Sequence, residues 1–522
     1  MKADVLVVGG GVNGLTAAAL LAKNGRKPLL LERRSVVGGA AVTEEFHPGF
    51  RASTLAHTAG PFRPSLLRAL GVRVECVEPE PRVFAPLPDG RSLSLYGDPA
   101  QAAAEISRFS ARDARAWPEF HGCLTRLAAV LGKLLSLTPP DIDKPRPREL
   151  LPLLGLGYAA RALGKRDGRR LLRWGPMAVA DFVAEWFETD LLRAVIAARG
   201  IFGMNGGPWS AGTTSQLLLQ AATAGGNGAG STVLVRGGLG ALTGALAEAA
   251  RRRGATIRTG AAAERFLVKD GRVNGVVLEG GEEIEAGAVV SALDPQRTFL
   301  KMLDAAHLDP DDLRRVRNYR QKGMASKVNL ALAGVPAFSA LRGARLAALH
   351  GRIHIGAGID ELERAFDDAK YGGVSKRPYL DITIPTLADP TLAPPDLHVM
   401  SVYVQYTPRT LAQGDWRARA PEVADVVLST LEEYAPGIGN LVVGRQVVTP
   451  LDLEETYGIL GGHPFHGEHA LDQLFLTRPL LGWARYRAPL PGLYLCGAGT
   501  HPGGGVTGGP GANAAAEILK DL

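Results

Sequence analysis

The sequence predicts an α/β fold, a parallel sheet wrapped by helices, with a discontinuous α+β unit inserted into it. Three observations predict it. A strand–turn–helix–strand pattern opens the chain, a second glycine-rich turn closes it, and a long region of mixed strand and helix patterns lies between them.

Val5 to Val8 is a short, fully apolar run, as expected of a central parallel strand buried on both faces. Gly9, Gly11 and Gly14 follow with G-x-G-x-x-G spacing. The first glycine permits the tight turn, the second lets a diphosphate approach the backbone, and the third lets helix and strand pack closely. A helix is predicted from about Asn13 to Lys23, with Ala17, Ala18, Ala19 and Ala22 on its inner side and Gly25 ending it. Its N-terminus offers unpaired N–H groups and a partial positive charge to the diphosphate. Lys27 to Leu31 makes the second strand. Glu32 ends it, eighteen residues after Gly14, where a carboxylate accepts hydrogen bonds from both ribose hydroxyls. Arg33 joins the candidate set beside it. Gly38-Gly39 adds another glycine turn, which resembles the fingerprint of FAD-binding proteins more than that of NAD dehydrogenases. The inferred ligand is an adenine dinucleotide, FAD.

Thr43 to about Gly60 reads as a polar loop. Short strands (Val72 to Val77, Ser92 to Tyr96) then alternate with amphipathic helices, the clearest at Pro99 to Phe109 and Trp117 to Ser136. Leu150 to Trp174 sets leucines beside Arg161, Lys165, Arg166, Arg169, Arg170 and Arg173. Such a basic amphipathic segment can lie on an anionic membrane, cover a cavity or form a solvated face. Asp181 to Gly200 reads as one helix bearing Phe182, Trp186 and Phe187, and Ala222 to Ser231 as a glycine-rich loop. Gly237-Gly238 precedes a helix from Leu239 to Arg253. Glu264 to Lys269, Arg272 to Leu278 and Glu283 to Glu285 follow as a small meander turning at Asp270-Gly271 and Gly280-Gly281. Lys327 to Leu332, Tyr379 to Pro385 and His398 to Tyr406 are strand-like, the last with alternating polarity.

Gly492 to Cys496 is a strand. Eight glycines lie between Gly497 and Gly511, before a small-residue helix from Ala512 to Leu519. Each glycine costs conformational entropy, so the run fits a place where backbone must lie against a flat ring. The organisation that follows is a Rossmann-like FAD-binding domain from residues 1–60, 231–295 and 490–522. A substrate domain comes from 61–230 and 296–489, with a lid or membrane-facing segment at 127–174.

The 522 residues exceed what one hydrophobic core supports, and 46% hydrophobic with 21% charged residues fits a folded globular protein. The net charge of +7 reads as a moderately basic surface, and no nucleic-acid motif accompanies it. Cys76, Cys123 and Cys496 lie far apart with no C-x-x-C pair. That argues against a disulfide scaffold or a dithiol redox centre, and for a reducing, cytoplasmic compartment. Val5 to Ala22 carries no charge, but its triple glycine and strand–turn–helix pattern speak against a membrane span. No metal-ligand spacing is convincing, because His463-x-x-His466 lacks a helix and a third ligand. His57, His463 and His466 are the candidate proton-handling residues.

Three stretches carry a resemblance: Leu493 through Gly508, Gly461-Gly462-His463-Pro464-Phe465-His466-Gly467-Glu468, and Asp181 through Phe187. Together they resemble the phytoene desaturase-related flavoproteins of the amine-oxidase-like (GR2) FAD superfamily, and within them the branch named pyridine nucleotide-disulfide oxidoreductase domain-containing protein 2. The resemblance implies FAD held by Gly9, Gly11, Gly14 and Glu32, with Ala263 backbone at the adenine. It puts Gly499-Thr500 and Val506-Thr507 at the ribityl chain and ring. Thr500 stands where many relatives carry aspartate, and Ala40-Ala41 where relatives often place arginine. The implied activity is an FAD-dependent oxidoreductase that desaturates or isomerises a hydrophobic, isoprenoid or carotenoid-like substrate by hydride transfer. A flavin amine oxidase and a non-catalytic lipid- or partner-binding protein on the same fold are the alternatives. The sequence names no electron acceptor, and the basic segment adds peripheral membrane contact to the expected partners.

Overall fold

Val5, Leu6 and Val7 have no exposed surface because their strand, Lys2–Val8, runs through the middle of a seven-stranded sheet. The computed structural model describes residues 2–56, 58–59, 62–142, 147–224, 232–341 and 346–522. Pro28–Leu31 and Glu283–Ser291 flank the first strand, both parallel to it, and Thr256–Arg258 extends the sheet beyond Pro28–Leu31. The far edge of Glu283–Ser291 is shared. Its first residues pair antiparallel with Arg272–Leu278 and its last with the C-terminal strand Leu493–Leu495, in parallel. Ala263–Lys269 completes the predicted meander, with Asp270, Gly271, Gly280 and Gly281 all at positive φ in its turns.

Helices Val12–Lys23, Leu239–Arg251 and Gly509–Ile518 cover one face of this sheet through Leu15, Leu242, Leu246 and Ile518. Burying each such leucine or isoleucine stabilises the fold by roughly 1.5–3 kcal/mol. The other face is covered by Pro295–Leu300, Pro310–Arg317 and the segment between them, through Phe299, Met302, Leu308 and Val316. On sequence grounds these residues belong to the inserted unit. Their apolar side chains are instead the back cover of the dinucleotide sheet.

The second sheet also has seven strands, ordered Val442–Val448, Ala325–Leu332, His398–Gln405, Tyr379–Thr383, Arg352–Ile355, Val83–Pro86, Ser92–Leu95. Its pairings are antiparallel except between Arg352–Ile355 and Val83–Pro86. Side chains alternate faces along a strand. Val328, Leu330, Ile382, Met400, Val402 and Val404 therefore share one face and pack on helix Trp416–Glu432. The opposite face carries Lys327, Tyr403, Asp381 and His354 in register across four adjacent strands. Helices Ala111–Leu135, Val179–Trp186, Asp190–Ile201 and Thr213–Thr223 form a separate layer around Trp117, Phe120, Phe182 and Phe187.

Three local expectations are corrected. Thr43–His47 and Phe50–Ser53 form an antiparallel hairpin, not a loop, because Phe50 and Ala52 alternate inward against Ala331 and Val399. Only Cys76–Val77 of the expected strand from Val72 pairs, with Leu234–Val235. The single helix expected from Asp181 is broken. The buried Asp113 carboxylate accepts from Glu188 N–H and Thr189 N–H at 2.9 and 2.8 Å, and starts the second helix at Asp190. Leu150 to Trp174 is two helices, Pro147–Ala162 and Gly164–Trp174, parted at Gly164 with φ +73°. The loop expected at 222–231 lies largely outside the described residues. All three cysteines are free thiols. Among the described residues no helix is long and apolar enough to cross a membrane.

Candidate active site

The first glycine turn is fixed by contacts that a side chain would destroy. A Cβ on Gly14 would lie 2.0 Å from the Gly9 carbonyl oxygen, and Gly9 itself sits at φ +102°. Glu32 secures the turn from the next strand. Its Oε2 accepts from Gly10 N–H at 2.8 Å and its Oε1 from Arg34 N–H at 2.9 Å. The paired glycines close against the same turn, with Gly38 N–H donating to Gly10 O at 2.9 Å. Gly11, by contrast, faces open space.

The C-terminal glycine segment arrives beside this turn. Helix Gly509–Ile518 begins against the start of Val12–Lys23, and a Cβ on Gly511 would meet the Asn13 carbonyl oxygen at 2.1 Å. Both turns open onto one cavity of about 380 Å³. It brings together Gly9, Gly11, Gly14, Glu32, Arg33, Gly38, Gly39, Ala263, His466 and Val506 from the predicted set. Gly499, Thr500, Thr507 and His463 lie outside its wall. Thr500 turns its hydroxyl to Gly497 O at 2.9 Å, and a Cβ on Gly499 would meet Pro295. The Thr507 hydroxyl accepts from Gly509 N–H at 3.1 Å. Ala498 and Gly504 to Val506 line the cavity in place of Gly499 and Thr500. His57 lies outside the described residues.

The cradle fits a dinucleotide. The first N–H groups of helix Val12–Lys23 have no intrahelical acceptor and open on the cavity beside the bare Gly11. Asn13, also in the wall, has a buried Oδ1 with no hydrogen-bond partner among the described residues, so the site holds a polar atom awaiting a ligand.

Residues 13–519 match the family described as flavin containing amine oxidoreductase. The chain belongs to that family. It is 38% identical to pyridine nucleotide-disulfide oxidoreductase domain-containing protein 2 of Rattus norvegicus, covering 99% of this chain and 94% of that protein. A limonene dehydrogenase polypeptide of Castellaniella defragrans is 28% identical, with 100% and 95% covered. The phytoene desaturases are distant relatives: the lycopene-forming enzyme of Pseudescherichia vulneris is 26% identical, with 100% and 99% covered. Among solved structures, an oxidoreductase from Methanosarcina mazei superposes with a TM-score of 0.62 at 16% identity over the full length of both chains. The chain is a flavin-containing oxidoreductase of this family and its cofactor is FAD.

When bound, FAD supplies a ring that accepts hydride from carbon. Gly9, Gly11, Gly14, Gly38, Gly39 and Glu32 would hold its nucleotide half, and Gly504 to Val506 its ring half. The ring end is braced from behind. Buried Arg478 donates to the carbonyls of Glu468, Phe465 and Ala498 at 2.7, 2.8 and 2.8 Å, tying two loops together. His469 is stacked on Phe465 at 4.7 Å. Its Nε2 accepts from Gly504 N–H at 3.3 Å, while its Nδ1 donates to Gln216 Oε1 at 3.0 Å. Gln216 in turn donates to Phe202 O at 3.1 Å, so glycine loop and cavity wall are one hydrogen-bonded unit.

Burial disfavours the charged form of two of the candidate histidines. Burial, with Arg478 beside it, pushes His463 down to about 3, and its Nδ1 accepts from Phe465 N–H at 3.2 Å. His466 reaches the cavity at φ +54°, but burial lowers its pKa as well. Burial thus favours the neutral ring in both, and His463 also shapes its loop through the bond from Phe465 N–H.

Sequence reasoning misses the polar row on the second sheet. Asp381 accepts from Arg199 and, at 3.1 Å, from the Tyr379 hydroxyl, and Arg352 lies 3.6 Å from its other oxygen. Lys327 stands in register with Tyr403, and burial lowers it to about 7. The signal is present in Arg352-Ile353-His354-Ile355 and Tyr379-Leu380-Asp381-Ile382-Thr383, where polar and apolar residues alternate.

Proposed function

We propose that the protein oxidises a C–H bond of a hydrophobic substrate, desaturating it by hydride transfer to FAD or isomerising it through the same site. Bound FAD would supply the hydride acceptor for desaturation; the adjacent C–H bond gives its proton to water, and its electron pair becomes the new C=C bond. The observation that carries this reading is the wall beside the glycine-lined end. Phe465, packed against Gly504, continues to Phe202 at 6.4 Å, and Leu55 also lines the cavity, an aromatic and apolar stretch such as a water-poor pocket for a C–H bond requires. The terpene- and carotenoid-named relatives support the same substrate class.

The amine oxidase reading needs two aromatic faces set apart to admit an amine. Phe202 and Tyr403 are stacked on each other at 4.5 Å, which leaves no gap between them. Anaerobic titration of the yellow protein with isoprenoid alkenes and with primary amines tests the choice. Bleaching by alkenes supports desaturation, and bleaching by amines alone overturns it. Colourless protein that still binds prenyl chains returns the reading to a non-catalytic binding protein.

The helices Pro147–Ala162 and Gly164–Trp174 support access from a lipid surface. Leu154, Tyr158 and Leu172 are 69%, 78% and 81% exposed, beside exposed Arg161, Lys165, Arg166, Arg169 and Arg173. The face combines apolar anchors with positive charge, the pairing that an anionic membrane recognises.

A further inference from the structure

The polar row at the cavity's second end has an unequal count of charges. Arg199, Arg352, Asp381 and Tyr403 all line the cavity and are 6%, 1%, 1% and 3% exposed. One carboxylate thus stands among two guanidinium groups, and both of its oxygens face them. Lys327, in register with Tyr403, adds no negative charge, and His354, next in the row, is neutral. A buried net positive charge is unfavourable unless an anion joins it. Two polar atoms are held for such a partner. The Arg199 Nε and the Tyr403 hydroxyl are buried with no hydrogen-bond partner among the described residues. The Arg199 guanidinium lies over the Phe202 ring at 4.6 Å, and Phe202 continues to Phe465, 6.4 Å away, against the Gly504 loop. An aromatic wall therefore runs from the charged end to the glycine-lined end.

We infer that the substrate is an apolar molecule bearing one carboxylate, gripped by Arg199, Arg352 and Tyr403, with Asp381 as the residue that positions the two arginines. This rests on the reading of the cavity as a hydrophobic substrate site, and it narrows that class from hydrocarbons to acids. A guanidinium fork matches a carboxylate in two hydrogen bonds, and a phenol adds a third. The same count disfavours a protonated amine, which would enter a site already positive.

The flavin-loaded protein is titrated with geranic and farnesoic acids, their methyl esters and the corresponding amines, following calorimetric binding and flavin absorbance together. The acids are expected to bind at least tenfold more tightly than the esters or the amines. Tyr403→Phe, which removes one hydroxyl from a packed ring, is expected to weaken the acids about tenfold and the esters by clearly less. Arg199→Lys is expected to do the same, keeping the charge and losing the fork. Should Arg199→Lys not fold, Tyr403→Phe alone decides. Esters or amines that bind as tightly as acids overturn the inference, as do variants that weaken all three alike or acids that do not bind at all. Tight acid binding with no bleaching by any probe keeps the inference and removes hydride transfer. Bleaching by esters with no preference for acids does the reverse.

Discussion

Gly511 rests on Asn13, so close that a Cβ at residue 511 would lie 2.1 Å from the Asn13 carbonyl oxygen. The last helix is thereby seated on the first, and the two glycine turns share one cavity. Gly511→Ala must push that contact apart, since both sides are backbone. The expected result is a several-fold loss of bound flavin and a lower Tm, read from absorbance and thermal unfolding. Gly244→Ala is the matched control. Gly244 lies in helix Leu239–Arg251 with open space at its Cβ, so alanine is expected to add about 0.5–1 kcal/mol and leave flavin content unchanged.

Glu32 does two jobs with one carboxylate. Both oxygens accept backbone N–H groups, from Gly10 and Arg34, while the group also borders the nucleotide cavity. Glu32→Gln keeps the shape but turns one acceptor into an NH₂ donor facing an N–H. Leaving one buried donor unsatisfied costs about 1–3 kcal/mol. Titrating FAD into the apoprotein is expected to show affinity reduced by roughly 10- to 100-fold. Unchanged affinity would mean that the carboxylate only shapes the turn.

The dinucleotide half is legible in the sequence because its signals are local. Gly9, Gly11, Gly14 and Glu32 lie on one short stretch, and spacing alone fixes their relation. Gly499 and Thr500 stand behind the cavity wall, which Ala498 and Gly504 to Val506 line instead. The direction of a glycine segment depends on what packs behind it, here Pro295, Arg478 and His469, which are distant in sequence. The row of Lys327, Tyr403, Asp381 and His354 escapes the sequence for a related reason. Each strand shows its alternation, but strand order, which sets them side by side, is not written in any one segment. Hairpin Thr43–His47 with Phe50–Ser53 is hard to recognise because few of its side chains turn inward, Phe50 and Ala52 fully and Phe46 in part.

Buried neutral histidines are expected to make the fold sensitive to acid. Burial pushes His354, His463 and His501 each down to about 3, from an ordinary value near 6.5. The unfolded chain binds protons at these rings below pH 6.5, whereas the folded chain does not until about pH 3. Their stabilising contribution is therefore complete above about pH 6.5 and is lost as pH falls toward about 3, by up to about 1.4 kcal/mol per pH unit for each ring. Denaturant unfolding at several pH values is expected to show this slope. His501→Asn, which leaves an amide near the Leu134 carbonyl that the ring meets at 3.1 Å, is expected to make the slope shallower by about one proton. A slope unchanged in that variant would put the titration elsewhere.

The exposed face of Pro147–Ala162 and Gly164–Trp174 carries a prediction that requires no folding change. Leu151, Leu154 and Tyr158 fall at i, i+3 and i+7 and form one stripe, with Leu172 exposed on the following helix. Arg166 and Arg173 are paired with Glu119 and Glu185 at the surface, which lowers the net attraction of this face and leaves Arg161, Lys165 and Arg169 to dominate it. Each basic residue near an anionic surface contributes about 1 kcal/mol, and this attraction is screened by salt. Flotation with phosphatidylserine-containing vesicles is expected to carry the protein upward at low salt. At about 0.5 M salt, where the Debye length falls to roughly 4 Å, much less should float. Leu154→Ser with Leu172→Ser is expected to weaken flotation several-fold while Tm and flavin content stay at the wild-type level, since both side chains are already in solvent. Equal binding to neutral phosphatidylcholine vesicles, or none to either, would assign the stripe to another role.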